Sequence, residues 1–136
     1  MIVVDSSAMV DALVGDPANP DLLALLADED LHAPALLDFE VAGALRGHTL
    51  GGRLDPARLE AAVADFAAFR IERHHMTSLL GPMLDLREDF TVYDAAYLVL
   101  AQALQAPVVT ADAKLQEATR LGITVLTGRG GTRRRT

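Results

Sequence analysis

The sequence predicts an α/β fold in three layers, α/β/α, with a central, mainly parallel sheet of four to five strands. Short apolar runs of strand length alternate with segments of helical periodicity. The first run is apolar without polar alternation, as in a strand covered on both faces. Cap and stop residues punctuate the alternation throughout.

Residues 1–4 form the first strand. Asp5-Ser6-Ser7 supplies N-cap chemistry, Met9, Val10, Leu13 and Val14 follow at helical spacing, and Gly15-Asp16-Pro17 stops the helix. A second helix is expected over residues 20–28 through Leu22, Leu23, Leu25 and Leu26, then a short strand over 31–33 ended by Pro34. Residues 35–50 read as a helix containing Glu40 and stopped by Gly51-Gly52. Residues 55–69 open with Asp55 at the cap and Pro56 at the first helical position, so these two helices form a hairpin. A strand over 69–72 and a helix over 77–88 follow, with Pro82 near its first turns where proline is tolerated. Thr91-Val92-Tyr93-Asp94 resembles a capping box and opens a helix to Leu104. Residues 107–110 are a strand, Asp112 caps a helix running to Leu121, Gly122 stops it, and 123–126 is the last strand. Residues 1–127 thus form one domain. Residues 128–136, Gly-Arg-Gly-Gly-Thr-Arg-Arg-Arg-Thr, have no apolar surface to bury and read as a disordered arginine-rich tail.

Composition narrows the function. With 136 residues, 51% of them hydrophobic, the chain builds one real core. Aromatic residues make up 4% and tryptophan is absent, which disfavours serial base-stacking platforms. The lack of cysteine excludes disulfide scaffolds, thiolate zinc sites and cysteine nucleophiles, and fits a reducing compartment. The start, Met1-Ile2-Val3-Val4-Asp5, lacks the basic region of a secretory signal, so a cytoplasmic protein is expected. The uncharged stretch 95–111 is broken by Gln102, Gln105 and Pro107 and falls short of the ~20 apolar residues of a membrane helix, so no membrane association is expected. The net charge is −7 although Arg129, Arg133, Arg134 and Arg135 lie in the tail, so the body is more acidic still. Such a surface repels phosphate, and a nucleic-acid partner would require local arginines, bound cations or a second protein.

In an open α/β sheet the ligand site lies beyond the carboxyl ends of the strands. Asp5 directly follows the first strand, Asp94 lies in the first turn of a helix, and Asp112 follows the strand ending at Thr110. Taken singly, each reads as a helix cap or first-turn acid, stabilising by roughly 0.3–2 kcal/mol. Glu40 differs, because it is expected inside a helix among Leu36, Leu37, Phe39, Val41, Ala44 and Leu45 with no lysine or arginine three or four residues away. Asp38, two positions off, points to another side of that helix. Converging carboxylates repel one another, and a hard divalent ion with an oxygen shell, Mg²⁺ or Mn²⁺, relieves the repulsion. One such ion, or a pair ~3.5–4 Å apart, activates water for in-line phosphodiester cleavage.

The segment Tyr93-Asp94-Ala95-Ala96-Tyr97-Leu98-Val99-Leu100-Ala101, continuing to Pro107-Val108-Val109-Thr110-Ala111-Asp112, resembles the signature of PIN-domain ribonucleases. Val4-Asp5-Ser6-Ser7-Ala8 and Glu40-Val41-Ala42-Gly43-Ala44-Leu45-Arg46 resemble the family's other two acidic positions. Length and single-domain layout further resemble the VapC toxins of type II toxin–antitoxin pairs, over nearly the whole chain except the arginine tail. The resemblance implies a PIN-like fold and Asp5, Glu40, Asp94 and Asp112 as a metal-binding, catalytic acidic cluster, with Ser6 and Thr110 as supporting hydroxyls. It also implies an endoribonuclease leaving a 5′-phosphate and a 3′-hydroxyl, a homodimer, and inhibition by a cognate VapB antitoxin.

Other residues carry weaker signals. Arg46, on the same expected helix as Glu40, is a candidate phosphate contact or a solvated helix end. Arg70, Arg73, His74 and His75 form a basic cluster that reads as a solvated strand end. None of the four histidines shows metal spacing, and His74 and His75, adjacent on a strand, point to opposite faces, so a zinc site is not expected. Ser6 and Ser7 lack the Gly-x-Ser-x-Gly elbow of a serine hydrolase. Leucines 22, 23, 25 and 26 and alanines 61, 62, 64, 67 and 68 read mainly as core, with room for a stripe that receives an antitoxin helix. Two alternatives to the nuclease are a non-catalytic PIN-like scaffold and an aspartyl-phosphate phosphatase using Asp5, the latter weakened by Ser7 standing where a second acid is needed.

Overall fold

The computed structural model describes residues 1–127; the arginine tail lies outside the described residues. In chain order the elements are β1 (Ile2–Val4), α1 (Ser6–Val14), α2 (Pro20–Asp28), β2 (Leu31–Pro34), α3 (Leu37–Leu50), α4 (Pro56–Ala68), β3 (Ile71–His74), a 3₁₀ turn (Thr77–Leu79), α5 (Leu80–Asp85), α6 (Val92–Leu104), β4 (Val108–Thr110), a 3₁₀ helix (Ala113–Leu121) and β5 (Val125–Thr127). The five strands form one parallel sheet in the order β3-β2-β1-β4-β5.

Right-handed crossovers dictate where the helices lie. From β1 to β2 to β3 the chain moves one way across the sheet, and from β3 it returns past β1 to β4 and β5. Helices α1 to α4 therefore cover one face and α5 and α6 the other. Contacts among α1, α2, α3 and α4, and separately between α5 and α6, agree with this. The direction reverses between β1 and β4, which opens a crevice beyond their carboxyl ends.

The caps read from sequence form. Asp5 accepts from the Ala8 N–H, Asn19 from Leu22, Asp55 from Arg58, Thr91 from Asp94 and Asp112 from Lys114. The core is aliphatic, with Val3, Val4, Leu37, Leu98, Val108 and Val109 fully buried. Helix α6 is buried on every side from Ala95 to Ala101, as expected of a helix apolar all round.

Several boundaries differ from the sequence expectation. Helix α3 starts at Leu37 rather than 35, which puts Glu40 in its first turn. Strand β3 is Ile71–His74, two residues later than expected, because its register is set by pairing with β2. The helix expected over 77–88 is a 3₁₀ turn followed by the short α5. The segment after Asp112 is 3₁₀ rather than α, and it buries Leu115 and Ala118. The last strand is Val125–Thr127. Leu22, Leu26 and Ala62 are core, whereas Ala61, Ala64, Ala67 and Ala68 are exposed on α4.

Leu98→Ala should cost about 2–5 kcal/mol of unfolding free energy in a urea titration, since the side chain is fully buried in the middle of α6. Gln105 ends α6 with φ 54°, a left-handed conformation that favours glycine, so Gln105→Gly should raise stability by up to about 1 kcal/mol in the same titration.

Candidate active site

The crevice at the ends of β1 and β4 is built around Asp5. Its backbone is anchored by donating to the Val109 carbonyl at 3.0 Å, and the residue is only 5% exposed. The carboxylate accepts from the Ala8 N–H at 2.9 Å, the Ser7 hydroxyl at 2.8 Å and the Thr110 hydroxyl at 2.5 Å. Ser7 Oγ also accepts from the Ala111 N–H at 2.9 Å, and Thr110 Oγ1 from the Asp112 N–H at 2.9 Å. The ends of β1 and β4 are thus sewn together through two hydroxyls. Burial pushes the Asp5 carboxyl up to about 6 despite these bonds, with Asp112 adding to the rise.

Asp94, in the first turn of α6, is also raised, chiefly by burial, with Lys114 opposing the rise and Asp112 adding to it. Glu40, on α3, accepts from the Tyr97 hydroxyl at 2.7 Å. Burial first, then the Glu40 bond and charge and the Asp5 charge, hold the Tyr97 hydroxyl in its protonated form, while Ser6 hydrogen-bonds to it and opposes them. Asp5, Asp94 and Asp112 are therefore in electrostatic reach of one another through Asp112, and Glu40 joins Asp5 through Tyr97.

Glu40 is half-buried, and its carboxylate is satisfied by Tyr97 rather than stranded among apolar side chains. Asp38 does turn elsewhere, to the Arg73 guanidinium at 2.7 Å. Of the two expected supporting hydroxyls, Thr110 touches Asp5, but Ser6 lies against Tyr97, and Ser7 takes the place beside Asp5. Ser7, Tyr97 and Lys114 had not been singled out for the site. Tyr97 carried a signal, since it follows Asp94 by three residues and so shares its helix face.

An open groove of about 770 Å³ leads away from Ser6, Ser7 and Ala111 along Ala44 and His48 of α3 to Arg53 and Arg58. Arg46 is exposed on α3 but lies two residues from both Ala44 and His48, toward the opposite side of the helix. The groove's arginines come instead from the loop after α3, Arg53, and the first turn of α4, Arg58, and Asp11 and Asp16 line the groove as well. Arg73 is occupied by Asp38 and packs over the Phe66 ring at 5.6 Å, so the cluster at 70–75 is not a free basic patch.

The family profile of the PIN domain matches residues 2–121. Ribonuclease VapC1 of Mycobacterium tuberculosis is 39% identical over 119 residues, covering 85% of this chain and 89% of that protein. VapC ribonuclease Mb0985 of Mycobacterium bovis is 36% identical over 117 residues, covering 86% and 90%. Among solved structures, PAE2754 from Pyrobaculum aerophilum superposes with a TM-score of 0.69 at 23% identity, covering 92% of this chain and 90% of that one. FitAcB from Neisseria gonorrhoeae superposes with a TM-score of 0.63 at 15% identity, covering 94% and 98%. A five-stranded parallel sheet, a profile match across nearly all described residues, and relatives similar along most of their length place the chain in the PIN-domain family, among the VapC ribonucleases.

Proposed function

We propose that the chain is a Mg²⁺- or Mn²⁺-dependent endoribonuclease of the VapC type, the toxin of a toxin–antitoxin pair, acting in the cytoplasm. The observation that supports this is the buried Asp5 carboxylate at the junction of β1 and β4, with Asp112 charge-coupled to both Asp5 and Asp94, and Tyr97 bonded to Glu40 and within the field of Asp5. A buried carboxyl pushed up to about 6 by desolvation and a neighbouring acid is a group that gains from a cation. The donors are all oxygens, which suits a hard divalent ion.

Asp5, Glu40, Asp94 and Asp112 would hold the ion. When bound, Mg²⁺ or Mn²⁺ supplies Lewis acidity toward the scissile phosphate and lowers the pKa of water. Thr110 and Ser7 fix the rotamer of Asp5, and the Ala8 N–H leaves that carboxylate little freedom to turn. Tyr97 orients Glu40 by donating its hydroxyl proton and keeping it. Lys114 lies close enough to Asp94 to influence its charge and offers a cation to an incoming phosphate. Arg53 and Arg58 line the groove and would take flanking phosphates of the RNA, offsetting the acidic body. Arg46 contacts RNA only where the strand wraps over the outer side of α3.

A VapB-type antitoxin and a second copy of the chain are the protein partners this reading assigns. Exposed Leu80, Leu84, Val92 and Tyr93, on α5 and the start of α6, supply apolar area for such contacts. No helix among the described residues is long and apolar enough to cross a membrane. The phosphatase reading is disfavoured by Ser7, which stands where a second acid is needed and instead donates its hydroxyl to Asp5. The scaffold reading is left as the outcome in which folded protein binds its partner but cleaves nothing.

Incubation of tag-free protein with total cellular RNA should give discrete fragments with Mg²⁺ and none with EDTA. Asp94→Asn and Asp112→Asn should each slow cleavage by more than about 100-fold, whereas Tyr97→Phe, which removes only an orienting hydroxyl, should slow it about 10–100-fold. Unchanged cleavage in Asp94→Asn would overturn the nuclease assignment to this cleft.

Asp5 also makes metal-free stability depend on pH. Its folded-state carboxyl titrates near 6 against an ordinary 3.8, so between these values the folded protein holds the extra proton. Stability contributed by this group is present at pH 4 and falls by up to about 3 kcal/mol as pH rises past 6. Thermal melts in EDTA across that range should show the decline, and Asp5→Asn should flatten it.

A further inference from the structure

Two of the four histidines, none of which shows metal spacing in the sequence, are brought together by strand pairing. In the parallel register His32 lies beside Glu72 and Pro34 beside His74, so His32, Glu72 and His74 share one face of the sheet. Leu31, Ala33, Ile71 and Arg73 share the other, where Arg73 meets Asp38 of α3 and Phe66 of α4. The histidine face is therefore the one covered by α5 and α6. His32 Nδ1 and His74 Nε2 are 2.8 Å apart, and Glu72 Oε2 lies 3.9 Å from His74 Nε2. A ligand atom from each of the three lies within 4.8 Å of the others.

We propose that His32, His74 and Glu72 form a second metal site, selective for Zn²⁺ or a similar borderline transition ion, that clamps edge strand β3 to β2. The cluster shares no residue with the acidic cleft. Two imidazoles and one carboxylate are the donors that zinc takes and that Mg²⁺ does not favour. The His32 ring is 6% exposed and its second nitrogen, Nε2, faces Asp30 Oδ2 at 3.0 Å. That pairing is the carboxylate–histidine arrangement that fixes a ligand's tautomer: with the Nε2 proton given to Asp30, His32 Nδ1 presents its lone pair toward His74. Without metal, His74 Nε2–H donates to that lone pair. With metal, His74 carries its proton on Nδ1 instead, and both facing nitrogens become ligands with no net proton change.

The geometry needs little adjustment. Tetrahedral zinc with bonds of ~2.0–2.1 Å sets its ligand atoms ~3.3 Å apart, so the two nitrogens separate by roughly 0.5 Å. His32 is fixed in the interior of β2, whereas His74 is 23% exposed at the end of an edge strand and Glu72 is 67% exposed, so the movement falls on the side chains free to make it. Water completes the fourth position from the solvent side.

The test is calorimetric titration of ZnCl₂ into tag-free, full-length protein, first in the Asp94→Asn, Asp112→Asn double variant so that the acidic cleft does not compete. One Zn²⁺ per chain is expected there, undisturbed by millimolar Mg²⁺. Glu72→Gln, a surface change that leaves the fold intact, and His74→Ala should each weaken binding by tenfold or more. Asp30→Ala should weaken it by roughly 10-fold or more through loss of the orienting carboxylate. In melting curves Zn²⁺ at a hundredfold excess over Kd should raise Tm by roughly 5–10 °C in the double variant and not with Glu72→Gln added. Absence of Zn²⁺ binding in the double variant, or binding indifferent to both Glu72→Gln and His74→Ala, overturns the proposal.

Discussion

A carboxylate held out of water at the end of β1 is the constraint on which the cleft depends. Asp5 is buried because it caps α1 from within the crevice, and it stays oriented because Ser7 and Thr110, from opposite sides of the switch point, both donate to it. The desolvation cost raises its proton affinity, and the same cost is recovered if a cation takes the place of the proton. Asp112 sits next to this centre because its own amide is tied to Thr110, and Asp94 is drawn into the same field from the start of α6. Two acids of the proposed centre, Asp5 and Asp112, are thus also the caps of α1 and of the 3₁₀ helix, whereas α6 is capped by Thr91. Choosing between cap and ligand roles is unnecessary, because a cap uses one carboxylate oxygen and leaves lone pairs on the other.

Much of the architecture was legible because its signals are local. Asp55-Pro56, Thr91 with Asp94, and Gly122 at φ +81° are punctuation that a backbone must obey wherever it lies. The apolar run of β1 and the all-round apolarity of α6 likewise report burial directly. What could not be read locally was set by pairing: β3 begins where β2 lets it pair. Of the four acids, their placement at strand and helix ends was legible. Which hydroxyl faces Asp5 was not, since Ser6 and Ser7 differ only by the 100° rotation that one helical residue brings.

The same reasoning explains the histidines. His32 and His74 are 42 residues apart, and neither shows the short spacing that betrays a metal site on one element. Their proximity exists only in the register of two parallel strands. His74 and its neighbour His75 diverge, as adjacent strand residues do, while residues in register on neighbouring strands converge.

The order of the sheet carries a consequence for how the chain is made. Thr110 and Asp5, which meet at the heart of the cleft, are 105 residues apart, and β1 lies in the sheet between β2 and β4. A nascent chain emerging from the ribosome can pair β1 with β2 early, but the crevice has only one wall until β4 and the residues after it are released. The acidic centre therefore cannot assemble on a partly translated chain. Nuclease competence is a property that arrives only once β4 and Asp112 have been released, after β1, β2 and β3 have had time to pair.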